Sequence, residues 1–80
     1  MPTIHLHYFA QLREQRGRES ETVTSACATA AALFEELRGR HGFTLAADNV
    51  RVAVNEEFVD WDVALRDGDH VGFIPPVAGG

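Results

Sequence analysis

The sequence has no lysine; its seven basic residues are all arginines. It therefore presents no side-chain amine for acylation, which suits a protein that carries an activated carboxyl group and follows equally from biased codon use. Twelve acidic residues outnumber the arginines, leaving a formal net charge of −5. That balance excludes nucleic acid and anionic membrane as partners, because both call for a basic face, and it favours a partner with a basic docking surface. Cysteine is limited to Cys27, so an intramolecular disulfide and a thiolate metal cluster are excluded. Set among alanines ahead of a helical segment, Cys27 reads as a small buried hydrophobe rather than a reactive thiol. Neither a secretory leader nor an apolar run of membrane-spanning length occurs, so the expected location is cytoplasmic. Motifs for autonomous chemistry are missing too. There is no G-x-S-x-G nucleophile elbow, no GxxxxGK[ST] phosphate loop and no GxGxxG, and nothing else argues for a free-standing enzyme.

What remains is a chain of 80 residues, 45% apolar and 24% charged, enough for one core and no more. Thr3 to Phe9 alternate, placing Ile4, Leu6 and Tyr8 on one strand face and Thr3, His5, His7 and Phe9 on the other. The polar stretch AQLREQRGRES, broken at Gly17, then predicts a connection to a second strand over ESETVT, paired back on the first as a hairpin. From Thr29 the period changes. Ala30, Leu33, Phe34 and Leu37 form one helical stripe, with Thr29 as N-cap, Arg38, Arg40 and His41 in the last turn and Gly42 at C′. VRVAV at 50–54 predicts a strand with Val50, Val52 and Val54 inward, and FVDW at 58–61 a short extended piece. Asp67-Gly68-Asp69 marks a turn before the last strand, HVGFI. The expected fold is α+β, a mixed sheet of four to five strands with one main helix packed on one face.

Two histidines at His5-x-His7 share a strand face, a spacing that chelates zinc or copper when a neighbouring strand adds a third ligand; His41 and His70 are the candidates. With no carboxylate or thiol fixed beside them, two solvated imidazoles are the expectation and no metal site is assigned. The acidic residues Glu56, Glu57, Asp60 and Asp62 around Trp61 are too loosely spaced for a calcium loop and predict a solvated one.

The sequence closes with IPPVAGG. If Val71 and Phe73 face the core, Ile74 faces the outer side with Phe9, and Phe58 is exposed after its turn; three large apolar groups there suggest a partner-binding patch. Pro75 and Pro76 lack N–H donors, so strand pairing should stop at Ile74 and the chain should project as a stiff segment. The expected division is a folded domain over residues 1–74 and a flexible tail over 75–80. That tail reaches roughly 20 Å at ~3.3 to 3.6 Å per residue, and its slim end suits a narrow tunnel in another protein.

The pieces YFAQLRE (8–14), VAVNEEFV (52–59) and LRDGDHVGFIPPVAGG (65–80) resemble the small, sulfur-carrying subunits of molybdopterin synthase, a ubiquitin-like β-grasp family. The resemblance implies that the Gly80 carboxylate is adenylated by a ubiquitin-activating-type adenylyltransferase using ATP and converted, with a sulfur donor, to a thiocarboxylate. That group then supplies sulfur to the molybdopterin dithiolene inside the synthase large subunit, where the catalytic groups lie, in a heterotetramer of two copies each. It implies no cofactor bound by this chain. Docking would involve Phe9, Arg13, Phe58 and Ile74, with Pro75, Pro76, Val77, Ala78 and Gly79 entering the partner. Carriers for thiamin or tRNA thiolation and ubiquitin-like modifiers joined to lysines share the terminal Gly-Gly and remain alternatives.

Overall fold

A computed structural model describes residues 2–75, so Pro76, Val77, Ala78, Gly79 and Gly80 lie outside the described residues. The alternation at the start of the chain forms β1 (Thr3–Tyr8), with Ile4, Leu6 and Tyr8 buried and the residues between them half-buried. β2 (Ser20–Thr24) pairs back on it antiparallel, Ile4 opposite Val23. The helical stripe becomes α2 (Ala30–His41), which buries Ala30, Leu33, Phe34 and Leu37. Both of its expected caps are present. Thr29 Oγ1 accepts a hydrogen bond from Ala32 N at 3.2 Å, and Gly42 turns left-handed at φ 71°. β3 (Arg51–Val54), β4 (Glu57–Val59) and β5 (His70–Ile74) complete one five-stranded sheet in the order β2-β1-β5-β3-β4.

The β1–β5 pair is parallel and every other pair is antiparallel, so the first and last strands lie side by side inside the sheet. The Asp-Gly-Asp turn secures that arrangement. Asp67 Oδ1 accepts from Thr3 N at 2.7 Å, Gly68 N donates to Thr3 O at 2.8 Å, and Asp69 Oδ2 accepts from Arg66 N at 2.8 Å. On the inner face Phe34 of α2 meets Phe73 of β5 with ring centroids 5.1 Å apart. This is the α+β layout, one main helix on one face of a mixed sheet.

The stretch after β1 departs from expectation. Residues 10–16 are a helix, α1 (Ala10–Arg16), rather than a polar connection. Only Leu12 of its seven residues is buried, so no apolar stripe marks it in the sequence. Gly17 does act as the breaker, at φ 82°, with its N–H on Arg13 O at 2.9 Å. α1 is tied down through Glu21. Arg16 donates from Nε and a terminal nitrogen to the two Glu21 oxygens, each at 2.9 Å, and Tyr8 O–H donates to Glu21 Oε2 at 2.6 Å. Two aromatic members of the core also carry no periodic signature. Phe43 is buried beyond the end of α2, and Trp61, past the end of β4, packs on Phe34 at 5.2 Å and Phe73 at 6.0 Å.

Candidate docking surface

The face of the sheet turned away from α2 carries the residues that sequence alternation places outside. Register puts His7 of β1, Gly72 of β5, Ala53 of β3 and Phe58 of β4 side by side across four strands. The two middle residues are small, so the row makes a trough with larger groups at its sides. Phe9, extended at φ −126° just past β1, lays its ring over Gly72: a Cβ there would stand 3.2 Å from Phe9 Cε2. On the other side Arg51 holds its guanidinium 4.5 Å from the centroid of the Phe58 ring, a cation–π contact. Ile74, paired with Arg51, closes one end and is half-buried; His70, Asn55 and Glu56 lie toward the other. The groove so formed has a volume of about 680 Å³.

Phe9 is 46% and Phe58 60% exposed, and among the described residues these are the large apolar side chains left in solvent. Exposed aromatic groups flanking a shallow trough are a feature of protein-binding surfaces. Of the docking residues anticipated from the sequence, the fold brings Phe9, Phe58 and Ile74 to one groove. Arg13 is exposed on α1, outside the groove lining. Pro75 follows β5 directly and is buried.

The turn expected at Glu56-Glu57 ahead of Phe58 falls one residue earlier, on Asn55 and Glu56, which shape the groove's rim. They join β3 to β4 with φ of 52° and 72°, a two-residue turn of the kind usually filled by Asn-Gly. Asn55 also fastens the turn to β5. Its Nδ2 donates to Asp69 Oδ1 and its Oδ1 accepts from His70 N, both at 3.0 Å. The available signal was the asparagine itself, which tolerates the left-handed region better than most residues.

Away from the groove, a cluster around Glu21 is engaged structurally. The Arg16 fork holds the Glu21 carboxyl down at about 2 against an ordinary 4.5, with burial opposing and the Tyr8 hydroxyl assisting. Burial, reinforced by Glu21, pushes the Tyr8 hydroxyl well above its usual range. His41 lies 3.6 Å from Glu21 Oε2, and burial together with Arg16 pushes it down. Cys27 is a half-buried free thiol packed against the core. Among the described residues no three His, Cys, Asp or Glu side chains are assembled to hold a metal ion, and no helix is long and apolar enough to cross a membrane.

A five-stranded mixed sheet grasping one main helix, with β1 and β5 parallel at its centre, defines the class of ubiquitin-like β-grasp domains. Comparison with known proteins narrows this. The chain belongs to the ThiS family, whose model matches residues 6–80. It is 36% identical to the molybdopterin synthase sulfur carrier subunit of Escherichia coli over 80 residues, covering 96% of this chain and 99% of that one. Among solved structures it resembles a Pyrococcus furiosus protein provisionally assigned as molybdopterin converting factor subunit 1. That match has a TM-score of 0.80 and 34% identity, over 96% of this chain and 100% of the other. SAMP1 of Haloferax volcanii superposes with a TM-score of 0.79 at 27% identity, over 98% of this chain and 99% of that one.

Proposed function

We propose that this chain is the sulfur-carrying subunit of a molybdopterin synthase and that Gly80 is the residue that carries the sulfur. One observation supports this most strongly: the docking groove and the Gly-Gly end belong to one continuous piece of chain. Ile74 is both the last residue of β5 and a wall of the groove, and only six positions separate it from Gly80. A partner seated on Phe9, Phe58 and Ile74 therefore has the terminal carboxylate within roughly 20 Å of its docking surface, at ~3.3 to 3.6 Å per residue. The end-to-end similarity to a sulfur carrier subunit supports this use of the tail.

The chemistry follows from the carboxylate. Ionised at neutral pH, with an ordinary pKa of roughly 3.3 to 3.7, it is a poor electrophile. An adenylyltransferase of the ubiquitin-activating type lets a Gly80 oxygen attack the α-phosphorus of ATP, releasing pyrophosphate and leaving an acyl-adenylate. Sulfide-level sulfur, released by a donor as hydrosulfide, then attacks the acyl carbon and expels AMP, so one carboxylate oxygen is exchanged for sulfur and leaves on the phosphate. In the large subunit the thiocarboxylate sulfur attacks a carbon of the pterin precursor and displaces an oxygen substituent from it, and hydrolysis of the resulting thioester leaves the sulfur on the pterin and returns the Gly80 carboxylate. This chain's own contribution is delivery: docking holds the reacting sulfur at high effective concentration. ATP is used by the activating enzyme, and the catalytic groups belong to the large subunit.

Deletion of Gly80 should abolish sulfur transfer while the shortened chain still co-elutes with the large subunit. A deletion variant with full activity would overturn the tail mechanism. The likeness to SAMP1 favours a second reading, a modifier joined to lysines of other proteins, and that reading requires isopeptide-linked conjugates of raised mass where sulfur transfer requires none.

A further inference from the structure

The His5-x-His7 pair finds its cross-strand partner in His70. Parallel pairing sets His5 opposite His70 and His7 opposite Gly72, so the His70 ring lies against both. Its centroid is 4.6 Å from that of His5 and 5.3 Å from that of His7, with interplanar angles of 22° and 18°. His41 is excluded from this group, because it sits at the end of α2 beside Glu21 and Phe43. Within the file of three rings one contact differs from stacking. His7 Nε2 and His70 Nδ1 face each other at 3.1 Å.

We propose that His7 and His70 form a two-imidazole chelate for a borderline divalent transition-metal ion, Cu²⁺, Ni²⁺ or Zn²⁺, with water in the remaining positions. Two nitrogens 3.1 Å apart, each bound at ~2.0–2.1 Å, subtend about 100° at the ion, between the cis angle of square-planar or octahedral sites and the tetrahedral angle. Without metal, the facing nitrogens share one proton in a hydrogen bond. On binding, the ion takes that proton's place, and the ring that carried it adopts the tautomer protonated on its other nitrogen, so no net proton is released. With the two nitrogens already facing each other at 3.1 Å, only a small adjustment of each ring about χ2 within the stack is needed for their lone pairs to converge on an ion.

His5 is a positioning residue in this scheme. Its Nδ1 is within 3.2 Å of Thr22 Oγ1, and its ring stacks on His70 and steadies that plane. The net charge of −5 adds a general attraction for cations. Because His7 and His70 also line the docking groove, the ion sits on the surface a partner would cover.

Titrating the untagged full chain with CuCl₂ in a calorimeter, with electron paramagnetic resonance on the complex, tests the proposal. Expected are one ion per chain, nitrogen hyperfine coupling from two imidazoles, and an affinity that falls roughly tenfold or more in both His7→Gln and His70→Gln but not in His41→Gln. Variants that bind as tightly as the wild type, or loss of binding confined to His41→Gln, would overturn it. If either substitution perturbs folding by circular dichroism, Cu²⁺-induced broadening of wild-type amide resonances decides instead. Broadening centred on residues 7 and 70 supports the chelate; broadening centred elsewhere, or none, contradicts it.

Discussion

Ala10 turns left-handed at φ 50°, a region that a residue with a Cβ enters at a cost of about 1–2 kcal/mol. The turn is what takes the chain out of β1 and into α1 while leaving Phe9 extended over the sheet. Ala10→Gly should relieve the strain and raise the melting temperature by a few degrees, corresponding to about 0.5–1 kcal/mol. An unchanged or lower melting temperature in a thermal scan would show that the strain is small or the helix start intolerant of glycine. Gly72 answers the same geometry from below. Adding a methyl there meets the far end of an exposed ring, so Gly72→Ala should fold normally while shifting the Phe9 ring by a few tenths of an ångström. Binding to the large subunit should then weaken, measured by calorimetry on the folded variant; equal affinity would mean that the ring's position is irrelevant to docking.

The elements divide by how much of their stabilisation is local. β1, α2 and β5 were legible in the sequence because each buries one regular set of residues: Ile4, Leu6 and Tyr8; Leu33, Phe34 and Leu37; Val71 and Phe73. The caps of α2 were legible for the same local reason. α1 was not, since a single buried leucine leaves no period and the helix is held by a side-chain tie to the next element, Arg16 to Glu21 on β2. Phe43 and Trp61 join the core from irregular segments, where periodicity carries no information. Of the site, Phe9 and Ile74 followed from alternation and Phe58 from its place after a turn, whereas the role of Gly72 and Ala53 as a small-residue floor depends on cross-strand register.

The Glu21 tie makes the stability of these elements acid-sensitive. In the folded chain Glu21 holds its proton less tightly, at about 2, than at the ordinary 4.5 it has when unfolded. Its contribution is therefore fully present above about 4.5 and is lost as pH falls from there toward 2. His41, pushed down from 6.5, resists protonation in the folded state and so adds to the loss once pH drops below that value. Denaturant melts across this range should show stability falling with acid, and Glu21→Gln should flatten the fall between 4.5 and 2. A variant with the wild-type slope would place the acid sensitivity elsewhere.

At the scale of the whole molecule, the proposed function makes one device of fold, groove and chain end. The parallel β1–β5 pair brings Phe9, at the end of one strand, beside Ile74, at the end of the other, and β5 then continues into the sequence that finishes at Gly80. The absence of lysine fits a chain whose own end is activated, because no side-chain amine is present to capture the acyl-adenylate. The most direct test is intact-mass spectrometry of the full chain after incubation with the adenylyltransferase, ATP and a sulfur donor. A mass gain equal to exchange of one oxygen for one sulfur, localised to Gly80 and lost on transfer to the large subunit, is predicted. An unchanged mass under conditions that consume ATP, or a gain localised to any other residue, would contradict the assignment of Gly80 as the sulfur-carrying residue.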